Sequence, residues 1–129
     1  MSAGITASAR VLVVEDEMMV AMLVEDMLGD LGFTVAATAS QVESAVHQAE
    51  HGDFDFAILD LNLNGMKSYA VAEALRARKK PFLFATGYGD AVLPEDFRHV
   101  PTLQKPFVSE QLKNAVVSLL TTEMTESAT

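Results

Sequence analysis

Short runs that are apolar at every position alternate along this chain with longer stretches whose apolar residues recur every three or four places. Val11-Leu12-Val13-Val14 is β-branched and apolar throughout, the pattern of a strand buried on both faces, and it stops at three acids, Glu15-Asp16-Glu17. From Met18 the residues Val20, Leu23, Val24, Met27, Leu28 and Leu31 keep helical spacing, and Gly32 supplies a stop. Phe33-Thr34-Val35-Ala36 reads as a second, weaker strand. Ser40 and Glu43 make a capping-box pattern, after which Val42, Ala45, Val46 and Ala49 share one helical face up to Gly52. Phe56-Ala57-Ile58-Leu59 is a third strand ending in Asp60, and Asn62, Asn64 and Gly65 predict a loop beyond it. A third helix carries Ala70, Val71, Ala74 and Leu75. It closes on the basic run Arg76-Ala77-Arg78-Lys79-Lys80, where cations suit the negative end of the helix dipole, and Pro81 cuts it off.

Phe82-Leu83-Phe84-Ala85 forms strand four, ending in Thr86, and a short strand around Thr102-Leu103-Gln104 ends in Lys105-Pro106. Ser109 is placed to cap a last helix with Leu112, Ala115, Val116, Leu119 and Leu120 inward. Between strands four and five, Gly87, Gly89 and Pro94 allow only a short or irregular fourth helix. Apolar strands alternating with helices define a doubly wound α/β fold, because parallel strands need crossover connections that cover both faces of the sheet.

Length and composition narrow this reading. The 129 residues suit one domain, expected over residues 10–121, with flexible tails at 1–9 and 122–129. A formal net charge of −9 opposes a nucleic-acid surface, whose affinity comes from clustered Lys and Arg. Cysteine is absent, which removes disulfides, thiolate catalysis and Cys-ligated zinc. The start lacks a basic flank followed by an apolar run, and no long apolar span follows. The expectation is a cytoplasmic protein without membrane contact.

The unusual polar residues fall at strand ends, which in such sheets is where ligand sites form. Glu15 and Asp16 end strand one, Asp60 strand three, Thr86 strand four and Lys105 strand five. Three carboxylates brought together repel one another unless a cation neutralises them. Mg²⁺ suits such a set, since it prefers hard oxygen ligands and commonly bridges carboxylates to phosphate. A carboxylate beside it can attack phosphorus and form an acyl phosphate. The charge on the transferring group then calls for donors such as the Lys105 ammonium, the Thr86 hydroxyl and backbone N–H groups.

In these pieces the chain resembles the receiver domains of two-component response regulators. The resemblance runs from about Arg10 to Leu120 and rests on Val11-Leu12-Val13-Val14-Glu15-Asp16-Glu17, Leu59-Asp60-Leu61-Asn62-Leu63, Ala85-Thr86-Gly87 and Lys105-Pro106-Phe107. It implies a flavodoxin-like, CheY-like sheet of order 2-1-3-4-5. It makes Asp60 the phosphoacceptor, Asp16 a direct Mg²⁺ ligand, Glu15 a ligand through water and Asn62 a ligand through its backbone carbonyl. Thr86 and Lys105 grip the phosphoryl oxygens, the Lys105-Pro106 bond is cis, and Gly87 leaves the acceptor open. The partners implied are a sensor histidine kinase or histidine phosphotransfer protein and a downstream protein target, with the chain a monomer or weak dimer. It would act as a switch, a phosphorelay element or a phosphate sink rather than as an enzyme.

The stretch from Pro81 to Gly89 looks like a receiver subgroup with a Phe-Ala-Thr-Gly-Tyr/Gly-Gly signature. The common aromatic switch position, three before the active-site lysine, is Thr102 here. The conformational signal is therefore expected at Thr86, Gly87, Tyr88 and the segment that follows. Competing readings fit less well. A haloacid-dehalogenase-type hydrolase needs a second aspartate where Asn62 stands. A degenerate receiver would lack an acid, Thr86 or Lys105, and an FMN binder needs a phosphate-cradling loop where the acids lie. His47 and His51 have a metal-compatible spacing but no third ligand, and the methionines read as core fillers.

Overall fold

Strands that are apolar at every residue have to be covered on both sides, and the arrangement of the chain follows from that requirement. The computed structural model describes residues 9–87 and 93–128. In chain order these form β1 (Arg10–Val14), α1 (Met18–Asp30), β2 (Thr34–Ala39), α2 (Val42–His51), β3 (Phe56–Asp60), β4 (Asn62–Leu63) and β5 (Met66–Lys67). There follow α3 (Tyr69–Ala77), β6 (Phe82–Thr86), a 3-10 turn (Glu95–Phe97), β7 (Thr102–Gln104) and α4 (Ser109–Ala128).

Five strands pair in parallel in the order β2-β1-β3-β6-β7, which is the expected 2-1-3-4-5 arrangement counted over the main sheet. Successive side chains alternate between two cores. Leu12, Val14, Ala57, Leu59, Phe82 and Phe84 pack toward α2 and α3, whereas Val11, Val13, Phe56, Ile58, Leu83 and Ala85 pack toward α1 and α4.

Several local expectations are corrected. The loop after Asp60 is a β-hairpin: β4 and β5 pair antiparallel around Asn64 and Gly65, both at positive φ (52° and 82°). Asn-Gly is the pair that such a tight turn favours. The N-cap of α2 is Gln41, not Ser40, and it makes no side-chain capping bond. Ser109 is the first helical residue of α4, and the Val108 N–H before it donates to Gln111 Oε1 at 2.9 Å. The polar stretch from residue 122 continues α4 through Ala128. The basic run after α3 serves a different helix. Arg78 donates to the Ala49 and Gly52 carbonyls (2.8 and 3.0 Å) and so satisfies the C-terminal end of α2, and Lys80 donates to the Phe54 carbonyl (2.7 Å) in the loop beyond it.

Helix α1 departs furthest in its burial. Val24 and Leu28 are buried, but Leu23 is 57% exposed, and Met18, Met19 and Met22 also face solvent instead of filling the core.

Among the described residues the expected irregular fourth helix is represented by the 3-10 turn, and its Phe97 anchors the β6–β7 connection. The ring stacks on Tyr69 (5.8 Å, 11°), meets Phe82 and Phe84 edge-on, and lies under the Arg76 guanidinium at 4.3 Å. Truncating it would leave a cavity bordered by three aromatic rings. Phe97→Ala is expected to destabilise the fold by about 3 kcal/mol in urea unfolding, whereas exposed Met66→Ala shifts the midpoint little.

Candidate functional site

The sheet changes winding direction at β1. The chain leaves β1 for β2 on one side and re-enters at β3 on the other, which opens a crevice at the carboxyl ends of β1 and β3. Glu15 and Asp16 follow β1, Asp60 is the last residue of β3, Thr86 the last of β6, and Lys105 follows β7. Backbone bonds hold these ends in register. The Leu61 N–H donates to the Ala85 carbonyl (2.9 Å) and the Lys105 N–H to that of Thr86 (2.7 Å).

The three acids converge. One carboxylate oxygen from each of Glu15, Asp16 and Asp60 lies within 4.8 Å of the others, and among the described residues no other group of three potential ligands does this. Glu15 and Asp60 are buried and Asp16 is half-buried. Lys105 Nζ lies 3.0 Å from Glu15 Oε1 and 3.2 Å from Asp60 Oδ2, bridging the two buried acids. Backbone donors complete the set. Glu15 accepts from the Glu17 N–H (3.1 Å), Asp60 from the Asn62 N–H (3.2 Å) and Asp16 from the Asn64 N–H (2.9 Å).

The electrostatics follow from this crowding. Burial first, and the Glu15 charge second, push the Asp60 carboxyl up to about 7, although the Lys105 ammonium and the Asn62 N–H work in the opposite direction. Burial alone would lower Lys105. The hydrogen bond to Glu15 and the charges of Asp60 and Glu15 outweigh it and hold the ammonium above its ordinary value. The donor set is hard, anionic and rich in oxygen, with two acids already out of water. It fits a hard metal cation, which Glu15, Asp16 and Asp60 could hold.

The remaining site residues spread around this centre. Thr86 and Gly87 are half-buried at the end of β6, and a side chain added at Gly87 would meet nothing within 4 Å. Asn62 opens β4 beside Asp60. The Lys105-Pro106 peptide is cis. Thr102, exposed at the start of β7, donates its hydroxyl to the Val100 carbonyl at 3.2 Å. Tyr88 lies outside the described residues. His47 and His51 approach each other on α2, ring centroids 4.9 Å apart, and no third ligand group joins them among the described residues.

Two contributors were not foreseen. Ser68, fully buried, donates its hydroxyl to the Asp60 carbonyl at 2.6 Å and so fixes the backbone of that residue. Asn64 binds Asp16 through its N–H and the Ser40 carbonyl through its side-chain amide. The Asn-Gly pair between Leu63 and Met66 signals the second; nothing in the sequence signals the first.

Three acids and a lysine thus stand together at the carboxyl edge of a doubly wound parallel sheet. Residues 11–117 match the response regulator receiver domain family, and the chain belongs to it. Members of this family are signalling switches rather than enzymes in the ordinary sense. Chemotaxis protein CheY of Pseudomonas aeruginosa is 29% identical over 83% of this chain and 92% of its own length. Transcriptional activator protein IrlR of Burkholderia pseudomallei is 35% identical over 86% of this chain, which spans only 50% of that activator. Among solved structures, SdrG from Sphingomonas melonis Fr1 superposes with a TM-score of 0.79 at 46% identity, covering 88% of this chain and 98% of SdrG. A BeF3-activated SdrG structure superposes with a TM-score of 0.74, covering 86% of this chain and 95% of that one.

The raised Asp60 pKa sets a pH dependence. A carboxyl titrating at about 7 when folded and near 3.8 when unfolded contributes stability that is complete below the lower value and is lost as pH rises to the upper one. In cation-free protein, Asp60→Asn is therefore expected to gain stability over wild type between about pH 4 and 7. The gain at pH 8 should be on the order of 1 to 3 kcal/mol and should vanish at acid pH. Urea unfolding in a chelating buffer at pH 4, 6 and 8 checks it, and a pH-independent difference would contradict it.

Proposed function

We propose that this chain is a phosphorylation switch acting in the cytoplasm, with its folded receiver domain over residues 10–121, in which Asp60 accepts a phosphoryl group from a phosphohistidine on a partner protein. The observation that carries this reading is the set of three converging carboxylates with Lys105 between two of them. An oxygen of the Asp60 carboxylate attacks phosphorus, the phosphorus–nitrogen bond of the donor breaks, and the imidazole leaves with its electron pair and takes up a proton. Lys105 exchanges its bonds to Glu15 and Asp60 for the incoming phosphoryl oxygens, and Thr86 supplies a hydroxyl donor. Glu15, Asp16, Asp60 and the Asn62 carbonyl are the residues assigned to hold Mg²⁺, which when bound neutralises the acids and the phosphoryl oxygens.

The partner surface adjoins this site. Met18, Met19, Met22 and Leu23 expose an apolar face on α1, next to a groove of about 360 Å³ lined by Glu17, Val20, Met27, Lys105 and Phe107. Exposed apolar patches of this kind mark protein contacts. The donor is taken to be a histidine kinase or histidine phosphotransfer protein, and the output a downstream protein bound by the altered domain. Similarity to SdrG, which has a BeF3-activated conformation, supports a two-state response. With Thr102 in place of an aromatic, the response is assigned to Thr86, Gly87, Tyr88 and the segment running to Phe97.

Incubation with Mg²⁺ and a small acyl-phosphate donor is expected to add one phosphoryl group by intact mass. Asp60→Asn should add none, and Lys105→Ala should slow the addition roughly a hundredfold. No added mass in wild type under any donor or kinase would overturn the proposal.

A further inference from the structure

The hairpin after Asp60 is more than a connection. Its turn residues, Asn64 and Gly65, both take positive φ, and Leu63 beside them is fully buried, so the tip is held in a fixed place over the site. From that tip the Asn64 N–H donates to Asp16 Oδ2 at 2.9 Å, and its side-chain amide donates to the Ser40 carbonyl at 3.1 Å. The base of the hairpin is fixed as well. Ser68 donates its hydroxyl to the Asp60 carbonyl (2.6 Å) and its N–H to that of Leu61 (2.9 Å).

The distribution of bonds gives this geometry its meaning. Lys105 reaches Glu15 and Asp60, the two buried acids, whereas Asp16 is held from the hairpin by a residue 48 positions away. A carboxylate on a half-exposed strand end samples several rotamers unless a donor fixes one of them. Only a carboxylate already aimed at its neighbours presents a cation with a ready-made site, since ordering the ligand at the moment of binding costs affinity.

We propose that the Asn64-Gly65 turn is a positioning element for Asp16, setting the cation affinity of the acidic site through the backbone N–H of Asn64. The inference rests on the cation-site reading above and adds a residue that touches neither the cation nor the phosphoryl group.

The turn can be broken without touching any acid. Gly65→Val places a β-branched side chain at φ 82°, a conformation that such residues strongly resist, although a β-carbon there would meet no neighbour within 4 Å. Gly65→Asn and Asn64→Gly keep residues that tolerate positive φ and preserve the N–H. Titration calorimetry with MgCl2 is expected to show roughly tenfold weaker binding for Gly65→Val, and affinity within about twofold of wild type for Gly65→Asn and Asn64→Gly. The Asp16 side-chain carboxyl carbon resonance in cation-free protein should move in Gly65→Val and hold in the other two. If Gly65→Val does not fold, Gly65→Ala carries the test with about a threefold expected loss.

Wild-type Mg²⁺ affinity with an unmoved Asp16 resonance in the folded turn-breaking variant overturns the positioning role alone. A wild-type protein that binds Mg²⁺ no better than Asp60→Asn overturns the cation-site reading beneath it, and the proposal with it.

Discussion

Everything around the crevice is arranged to hold three carboxylates closer together than their charges favour. With oxygens within 4.8 Å and two of the groups buried, mutual repulsion is weakly screened, and one ammonium is shared among the acids it can reach. The fold meets that cost locally, with one backbone N–H aimed at each acid and with Lys105 between two of them. The compensation is incomplete, as the position of Asp60 near 7 records. A site left short of positive charge in this way favours whatever brings it. The same deficit makes the resting domain a poor place for a further anion unless a cation accompanies it.

The sheet makes such crowding possible. In a parallel sheet all carboxyl ends lie on one edge, so acids placed after β1 and β3 meet at the switch point without any long loop to bring them together. Both faces of every central strand are packed, which leaves β1 and β3 little freedom to splay and relieve the repulsion. Rigidity of the scaffold is thus part of the chemistry, because a softer sheet would let the acids drift apart.

This centre was legible in the sequence for the same reason. Strands buried on both sides have to be apolar throughout, so Val11–Val14, Phe56–Leu59 and Phe82–Ala85 stand out, and the first polar residue after each marks the edge of the sheet. Helical periodicity is less informative. It identified α1, yet Leu23, Met18, Met19 and Met22 are exposed, because spacing alone does not reveal how wide a stripe the sheet will cover. Strands of two residues carry no period to detect, and the hairpin at Asn62–Lys67 leaves only its Asn-Gly pair as a mark in the sequence. Ser68 is a different case. Its hydroxyl binds a carbonyl eight positions earlier, a contact that exists only after the hairpin has folded back.

Where a signal could leave the site follows from the same contacts. The backbone ties β3 to β6 at Leu61 and Ala85, and β6 to β7 at Thr86 and Lys105, so these strand ends resist moving independently. The connection from β6 to β7 leaves the sheet at Gly87. That connection is fastened at its far end by Phe97, whose ring touches Phe82 and Phe84 on β6 and Tyr69 and Arg76 on α3. Thr102 on β7 carries no ring and donates its hydroxyl to the Val100 carbonyl, whereas Phe97 on the connection is a buried ring. Close-packed rings exchange one arrangement for another rather than deforming continuously. In the switch proposed above, Phe97 is the packed ring that joins β6 to α3.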